Sequence, residues 1–255
     1  MTLIYQTPNI FVKDTPVEEQ RLSEYARYFN QLVSGTLHPH MPDWQAGSLR
    51  ADENDLLIVD SPPQTTRERI LSLLKPWETY PQVTPECQET SVLYVRQPRL
   101  PISSILLVIR GRLEDEIAIG WMLRVARASK ASVGILAIIP DIPALYNRYG
   151  HIPTRMEDLI AVDSLSGYQL RGIMKLMAKY GIEGQFNLVQ SSPNQKILEI
   201  ARSMACDLAI IAAECRGKLV RMWLGELVKP LLQRAELPLL VACNPAQKTA
   251  KGRGW

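Results

Sequence analysis

Residues 101–139 read PISSILLVIRGRLEDEIAIGWMLRVARASKASVGILAII. The run Ser104–Ile109 is continuously apolar after its first residue, as expected of a strand covered on both faces. Glu114–Lys130 predicts a helix, because Ile117, Trp121, Val125 and Ala128 recur near helical spacing. Its acids lie at the start and its bases at the end, as the helix dipole prefers. Val133–Ile139 is a second buried strand, stopped by Pro140. One helix between two buried strands predicts a parallel sheet.

The same alternation continues towards the C-terminus. Pro140–Pro153 reads as a loop, and Arg155–Tyr180 as one long helix broken at Gly167 and terminated by Gly181. Gln185–Val189 is a third strand. Asn194–Met204 is a helix with Ile197, Leu198, Ile200 and Ala201 inward, and Asp207–Ala212 is a fourth strand. Trp223–Arg234 is a helix and Pro238–Ala242 a fifth strand. The expectation is a doubly wound α/β domain of five parallel strands, with helices on both faces.

The first hundred residues are sparser. Val17–Val33 predicts a helix with Leu22, Tyr25, Phe29 and Leu32 on one side, and Ser34–Asn54 reads as loop. DLLIVD at 55–60 is a strand, Thr66–Leu74 a helix and SVLYV at 91–95 a strand. RQPRLP at 96–101 reads as a stiff linker. An internal repeat is visible: an Asp-led strand, a helix, and an apolar strand closed by proline occur from Asp55 and again from Asp207. The two units are expected to hold equivalent sheet positions. Ser91–Val95 is then expected to pair with Pro238–Ala242 inside one chain; the alternative is that two chains meet at these edges.

Composition bounds the function. Of 255 residues, 46% are apolar and 22% charged, which is a globular balance. No run approaches the roughly 20 apolar residues of a membrane helix. The opening MTLIYQTPNIFVKD lacks the basic start and long apolar core of a signal peptide. Cys87, Cys206, Cys215 and Cys243 show no C-x-x-C spacing. A cytoplasmic, reduced protein without membrane insertion is expected. The formal net charge of +3 is too small to argue for nucleic acid. Its distribution is uneven: residues 1–100 carry 9 basic and 13 acidic side chains, the remainder 20 and 13. Residues 246–255 read as a basic flexible tail.

The segments PISSILLVIRG, RLEDEIAIGWMLRVARASKASVGILAII and NQKILEIARSMACDLAIIAAECRGKLVRMWLGELVKPLLQRAELPLLVA together resemble the universal stress protein family. The last segment is the most specific: an Asp-led strand, a loop, a basic-apolar stretch, Leu-Gly, a helix, and a short strand after proline. The resemblance covers 101–245. The junction SVLYVRQPRLPISSILLVIRG resembles the join in tandem members, which implies that 1–100 is a shortened, diverged first copy.

In the fold this resemblance implies, ligands sit outside the carboxyl ends of the strands, where strand order reverses. Nucleotide-binding members end their first strand in Asp and follow their fourth with Gly-x-x-Gly-x9-Gly-Ser/Thr. The glycines admit close backbone approach, and amides and hydroxyl hold phosphate. The positions implied here are Arg110, Gly111 and Ile138 on one side, and Ala212, Cys215, Arg216, Gly225 and Glu226 on the other. Most depart from the pattern. Arg110 replaces the Asp, Ala212 and Cys215 replace two glycines, Gly225 is retained, and Glu226 replaces the hydroxyl. A like-charge pair at about 4 Å costs on the order of 4 kcal/mol at an effective dielectric of roughly 20. That is about a thousandfold in affinity. Arg110, Arg216, Lys218 and Arg221 would partly offset it, or pair with Glu214 and Glu226. In the first copy, SPPQTTRER at 61–69 has no glycine, and its prolines lack amide donors. Ordinary ATP binding is expected to be lost.

Other candidates are weaker. Cys215 lies beside Arg216 and Lys218, which favours a thiolate, but a small residue filling a turn is the plainer reading. His38, His40 and Asp43 could begin a metal site, although two ligands in a Pro-rich loop rarely suffice, and no metal is expected. His151 reads as a loop residue, Cys206 and Cys243 as core thiols, and Trp121 and Trp223 as packing residues. No nucleophile elbow, zinc-binding helix motif or P-loop is present. The expectation is therefore no enzyme and no cofactor, but a regulatory or stress-response protein acting through protein contacts or self-association. A soluble regulator of a membrane transporter or kinase is one such role. The alternative is a sensor that binds ATP or another adenine nucleotide.

Overall fold

The computed structural model describes residues 7–13, 19–38, 55–60, 90–139, 155–161, 164–189, 193–213, 228–234 and 236–243. The strands are β1 (Asn9–Lys13), β2 (Thr36–His38), β3 (Leu56–Asp60), β4 (Ser91–Val95), β5 (Ser104–Ile109), β6 (Ser132–Ile138), β7 (Gly184–Val189), β8 (Leu208–Ala212) and β9 (Leu239–Ala242). The helices are α1 (Glu19–Val33), α2 (Asp115–Ser129), α3 (Met156–Ala161), α4 (Leu165–Tyr180), α5 (Pro193–Ser203) and α6 (Val228–Arg234).

The nine strands among the described residues form one sheet in the order β2-β1-β3-β4-β9-β8-β5-β6-β7. Every neighbouring pair is parallel except β4 and β9, which run antiparallel. From that junction outward, the order is β4-β3-β1-β2 on one side and β9-β8-β5-β6-β7 on the other. β3 therefore stands to β4 as β8 stands to β9. The Asp before each of these strands also reaches the start of the next strand outward. Asp55 Oδ1 accepts from Asn9 Nδ2 at 3.0 Å. Asp207 Oδ2 accepts from Ser103 N at 2.8 Å, Ser103 Oγ at 2.7 Å and Ser104 N at 3.1 Å.

The apolar runs are central because both of their faces are covered. β4, β5, β8 and β9 are buried along their whole length. On one face, residues of α1, α2, α3 and α4 share a core with Leu93, Ile105, Leu107, Ile210 and Leu240. On the other, α5 and α6 supply Ile197, Leu198, Leu231 and Leu232 against Val92, Tyr94, Leu106, Val108, Ile211 and Val241. The first core crosses the junction: Phe29 of α1 lies 6.5 Å from Trp121 of α2, ring to ring. Trp121 Nε1 donates to Ser91 Oγ of β4 at 3.1 Å, and Cys243 N donates to the same oxygen at 3.2 Å. The linker is fastened as well. Arg96 Nη2 donates to Leu232 O, Arg99 Nη1 to Cys206 O, and Ile102 N to Tyr28 Oη.

Four local expectations need correction. The break in the second long helical stretch lies before Leu165, not at Gly167; Ser164 caps α4 by accepting from Gly167 N. A serine oxygen that satisfies a free first-turn amide defines a helix start more strongly than a glycine interrupts a helix. Gly181 does end α4, with φ +63°, a conformation open to glycine. Ala128 is exposed, and the buried apolar residues of α2 are Ala118, Trp121, Met122, Leu123, Val125 and Ala126. The stretch read as loop after Val33 begins with β2, which pairs with β1. β1 itself, NIFVK, was not anticipated; it pairs with both β2 and β3. The helix expected at 66–74 and the loop at 140–153 lie outside the described residues.

Candidate functional site

β5 and β8 are parallel neighbours, Ile105 beside Leu208 through Val108 beside Ile211. The chain leaves β5 towards β6 and later enters β8 on the opposite side. Their carboxyl ends are thus where strand order reverses, the place an open α/β sheet offers a crevice.

Arg110 follows β5 directly and closes this place. Its Nη2 donates to Ala212 O, the last residue of β8, at 2.7 Å. Its backbone N donates to Asp115 Oδ2 at 2.7 Å, and Arg112 N reaches the same oxygen at 3.0 Å. Arg110 Nε lies 4.0 Å from Asp115 Oδ1, and both side chains are buried, 5% and 0% exposed. Asp115 opens α2, so its charge also lies at the favourable end of the helix dipole. Burial pushes the Asp115 carboxyl up; the amides of Arg112 and Arg110 and the Arg110 charge pull it back.

The loop is fixed from its outer side too. Gly111 has φ +69°, and a Cβ there would overlap Ser166 Oγ at the start of α4. Gln169 of α4, also buried, donates from Nε2 to Arg112 O at 2.6 Å. On the opposite side of the crevice, Ala213 N donates to Ala242 O at 2.6 Å and ties the end of β8 to β9. Ile138 ends β6, the next strand over, half-buried.

Arg110, Gly111, Ile138 and Ala212 thus lie together at the carboxyl ends of adjacent strands. Cys215, Arg216, Gly225 and Glu226 lie outside the described residues. Sequence reasoning missed Asp115, Ser166 and Gln169. Asp115 was visible as an acid at a helix start; its turn back onto the Arg110 and Arg112 amides needs the loop conformation that Gly111 provides. Gln169 had no signal, being one polar residue in a helix.

The chemistry available here is that of a held cation. The Arg110 guanidinium is hydrogen-bonded to a carbonyl and set against a carboxylate. Among the described residues, no group of three or more His, Cys, Asp or Glu could hold a metal. His38 ends β2 with its Cα opposite Phe11, while His40, Asp43 and His151 lie outside the described residues. Cys206 and Cys243 are buried thiols, and burial raises Cys206. An open cleft of about 560 Å³ lies elsewhere, between α1 and the linker, lined by Glu24, Arg96, Gln97, Pro98 and Leu100. No described helix is long and apolar enough to cross a membrane.

Known structures with this architecture include a universal stress protein from Archaeoglobus fulgidus DSM 4304. It is 14% identical, with 93% of this chain and 86% of that one covered and a TM-score of 0.54. A protein of unknown function from Pseudomonas aeruginosa PAO1 is 12% identical, with 96% and 97% covered and a TM-score of 0.53. At these identities the likeness is one of fold. The family model described as "Universal stress protein family" matches residues 101–242. With more than half its length matched, from the start of the linker's last proline to the end of β9, the chain belongs to the universal stress protein family.

Proposed function

We propose that this chain is a non-catalytic regulatory protein of the universal stress type, which acts through protein contacts and no longer binds ATP in the ordinary way. The observation that carries this reading is the Arg110 bridge to Ala212 O. A nucleotide entering between β5 and β8 must break that charged hydrogen bond, worth about 1.5–3 kcal/mol, before it gains any contact. It would meet a cation tied to the protein at the position implied for Asp. By sequence it would also lack two loop glycines and meet Glu226.

We also propose that residues 1–100 are a shortened, diverged copy of the unit in 101–245. The support is the common strand order outward from β4 and β9, and the matched Asp55 and Asp207 contacts. The partner we propose is a protein, self-association included; a cytoplasmic regulator of a membrane transporter or kinase fits that role.

Calorimetry of the full chain with magnesium-ATP tests the site. No saturable binding at micromolar ATP is expected, nor any nucleotide among small molecules released from the denatured, freshly purified protein. Tight, magnesium-dependent binding would overturn the reading in favour of a nucleotide sensor.

A further inference from the structure

α2 and α4 lie side by side over the same face of the sheet, and their outer surface is basic. On α4, Tyr168, Arg171, Lys175 and Lys179 follow one another at helical spacing, opposite the buried Leu170, Ile173 and Met177. The row from Tyr168 to Lys179 is about 17 Å long at 1.5 Å per residue. Arg127 of α2 and Lys130, which caps its C-terminus, continue it. The two helices bring cations together rather than apart. Arg127 lies 4.2 Å from the centre of the Tyr180 ring, and Lys179 Nζ lies 5.4 Å from the same ring. Lys130 and Lys175 are exposed and make no ion pair among the described residues. Neither α4 nor α2 beyond Glu116 contains an acid. The acids nearest in sequence are Glu114 and Glu116 at the start of α2, Glu157 and Asp158 on α3, which packs against α4, and Glu183 after α4.

At one end of the row the surface becomes apolar. Tyr168 is 65% exposed, Leu113 56% and Leu165 38%. Leu113 belongs to the loop whose Arg112 O receives Gln169, so these three side chains flank one corner. Exposed apolar groups beside a basic row mark an interaction surface more often than a solvated one.

We propose that this face adsorbs to an anionic lipid bilayer surface, without insertion of any segment across it. A bilayer takes both parts of the patch. Arg171 is half-buried and donates from Nη1 to Ile160 O. Lipid phosphates pair with Lys175, Lys179, Arg127 and Lys130, while Leu113, Leu165 and Tyr168 enter the headgroup layer. The described cleft lies elsewhere, between α1 and the linker, and a bilayer offers anionic charge and an apolar layer to the same face. Leu113 and Leu165 give a nucleic acid nothing to pair with, and one tyrosine is a single stacking platform. The bilayer reading is independent of the Arg110 crevice.

Sedimentation of the full chain with vesicles of phosphatidylcholine alone, or mixed with phosphatidylglycerol, tests it. Binding is expected to the mixed vesicles only and to weaken as salt rises. Each basic residue near such a surface contributes roughly fivefold. The exposed double reversal Lys175→Glu with Lys179→Glu should therefore lose at least about 25-fold. Leu165→Ser with Tyr168→Ser should remove the part of binding that survives high salt. Lys196→Glu with Arg202→Glu makes the same net-charge change on α5, across the sheet, and should leave binding within about twofold. If the two reversals lose equally, net charge and not this face drives adsorption, and the proposal fails. It also fails if mixed vesicles do not bind, or if a single- or double-stranded oligonucleotide binds this face in their place.

Discussion

Leu93 stands opposite Leu240 across the antiparallel ladder between β4 and β9, flanked by Val92 opposite Val241 and Tyr94 opposite Leu239. Both leucines are fully buried, in the core that α1 and α2 share. This is where the two runs of parallel strands become one sheet. Each run uses the other to cover an apolar edge that would otherwise invite pairing with a foreign strand.

The two halves should accordingly unfold together. Leu93→Ala and Leu240→Ala should each cost about 2–5 kcal/mol, and the double variant should show a coupling of about 0.5–3 kcal/mol. Denaturant titration is expected to give one transition. The amides of the junction belong to the flanking pairs, since even-numbered residues of β9 bond to β8. Proline at Val92 or Val241 therefore removes a β4–β9 ladder amide and should expose RQPRLP to limited proteolysis that the wild-type chain is expected to resist. Unchanged proteolysis, with a dimer that dissociates in sedimentation, would place the pairing between chains.

Ser91 Oγ accepts from both Trp121 Nε1 and Cys243 N. Ser91→Ala strips both buried donors of this acceptor and should cost about 1–3 kcal/mol. Trp121→Phe removes one of them, so the pair of changes should cost less than the sum. Full additivity in thermal melts would mean that the two side chains do not share the bond.

Gly111→Ala should be among the most destabilising single changes in the described loops, because it meets both a left-handed backbone and Ser166 Oγ. Adding Ser166→Gly relieves the overlap but not the backbone term. Partial recovery of the melting temperature is expected; complete recovery would show that φ +69° is not needed here.

Asp115 gives a pH signature. Its carboxyl is raised in the folded protein, chiefly by burial. The folded chain then holds a proton that the unfolded chain releases, so stability falls as pH rises from the ordinary carboxylate range through the raised value. Asp115→Asn cannot ionise, yet its side-chain oxygen can still accept from Arg110 N and Arg112 N. Relative to the wild type, it should gain stability across that window and stay level above it. Denaturation at several pH values checks this; a constant difference would mean that Asp115 does not titrate there.

Asp207 holds the start of β5 through three bonds to one oxygen. Asp207→Ala should cost about 1–3 kcal/mol, and Asp207→Asn should recover part of that, since its carbonyl still accepts amide protons. Equal losses would show that the charge, not the acceptor geometry, matters.

The buried strands and the helices between them were legible in the order of residues. SILLVI, LAIIA and LLVA carry no alternation, and an uninterrupted apolar run is stable only with both faces covered. The Asp before a strand, at 55 and 207, was equally legible, because a residue type and its offset are local properties. The tertiary structure alone decided what joins what. NIFVK at 9–13 has only three apolar residues, between Asn and Lys, and it is a strand because β2 and β3 flank it. The pairing of β4 with β9 inside one chain was the expectation and a two-chain arrangement its alternative, since an apolar edge specifies burial but not its partner; the antiparallel sense came from the structure. Arg110 at a strand end was visible as a departure from a resemblance. Its reach to Ala212 O was not, because that distance is set by the β5–β8 register across 102 residues of chain. Periodicity records how each segment meets its surroundings. Register and side-chain reach depend on which segments become neighbours, and only the assembled sheet settles that.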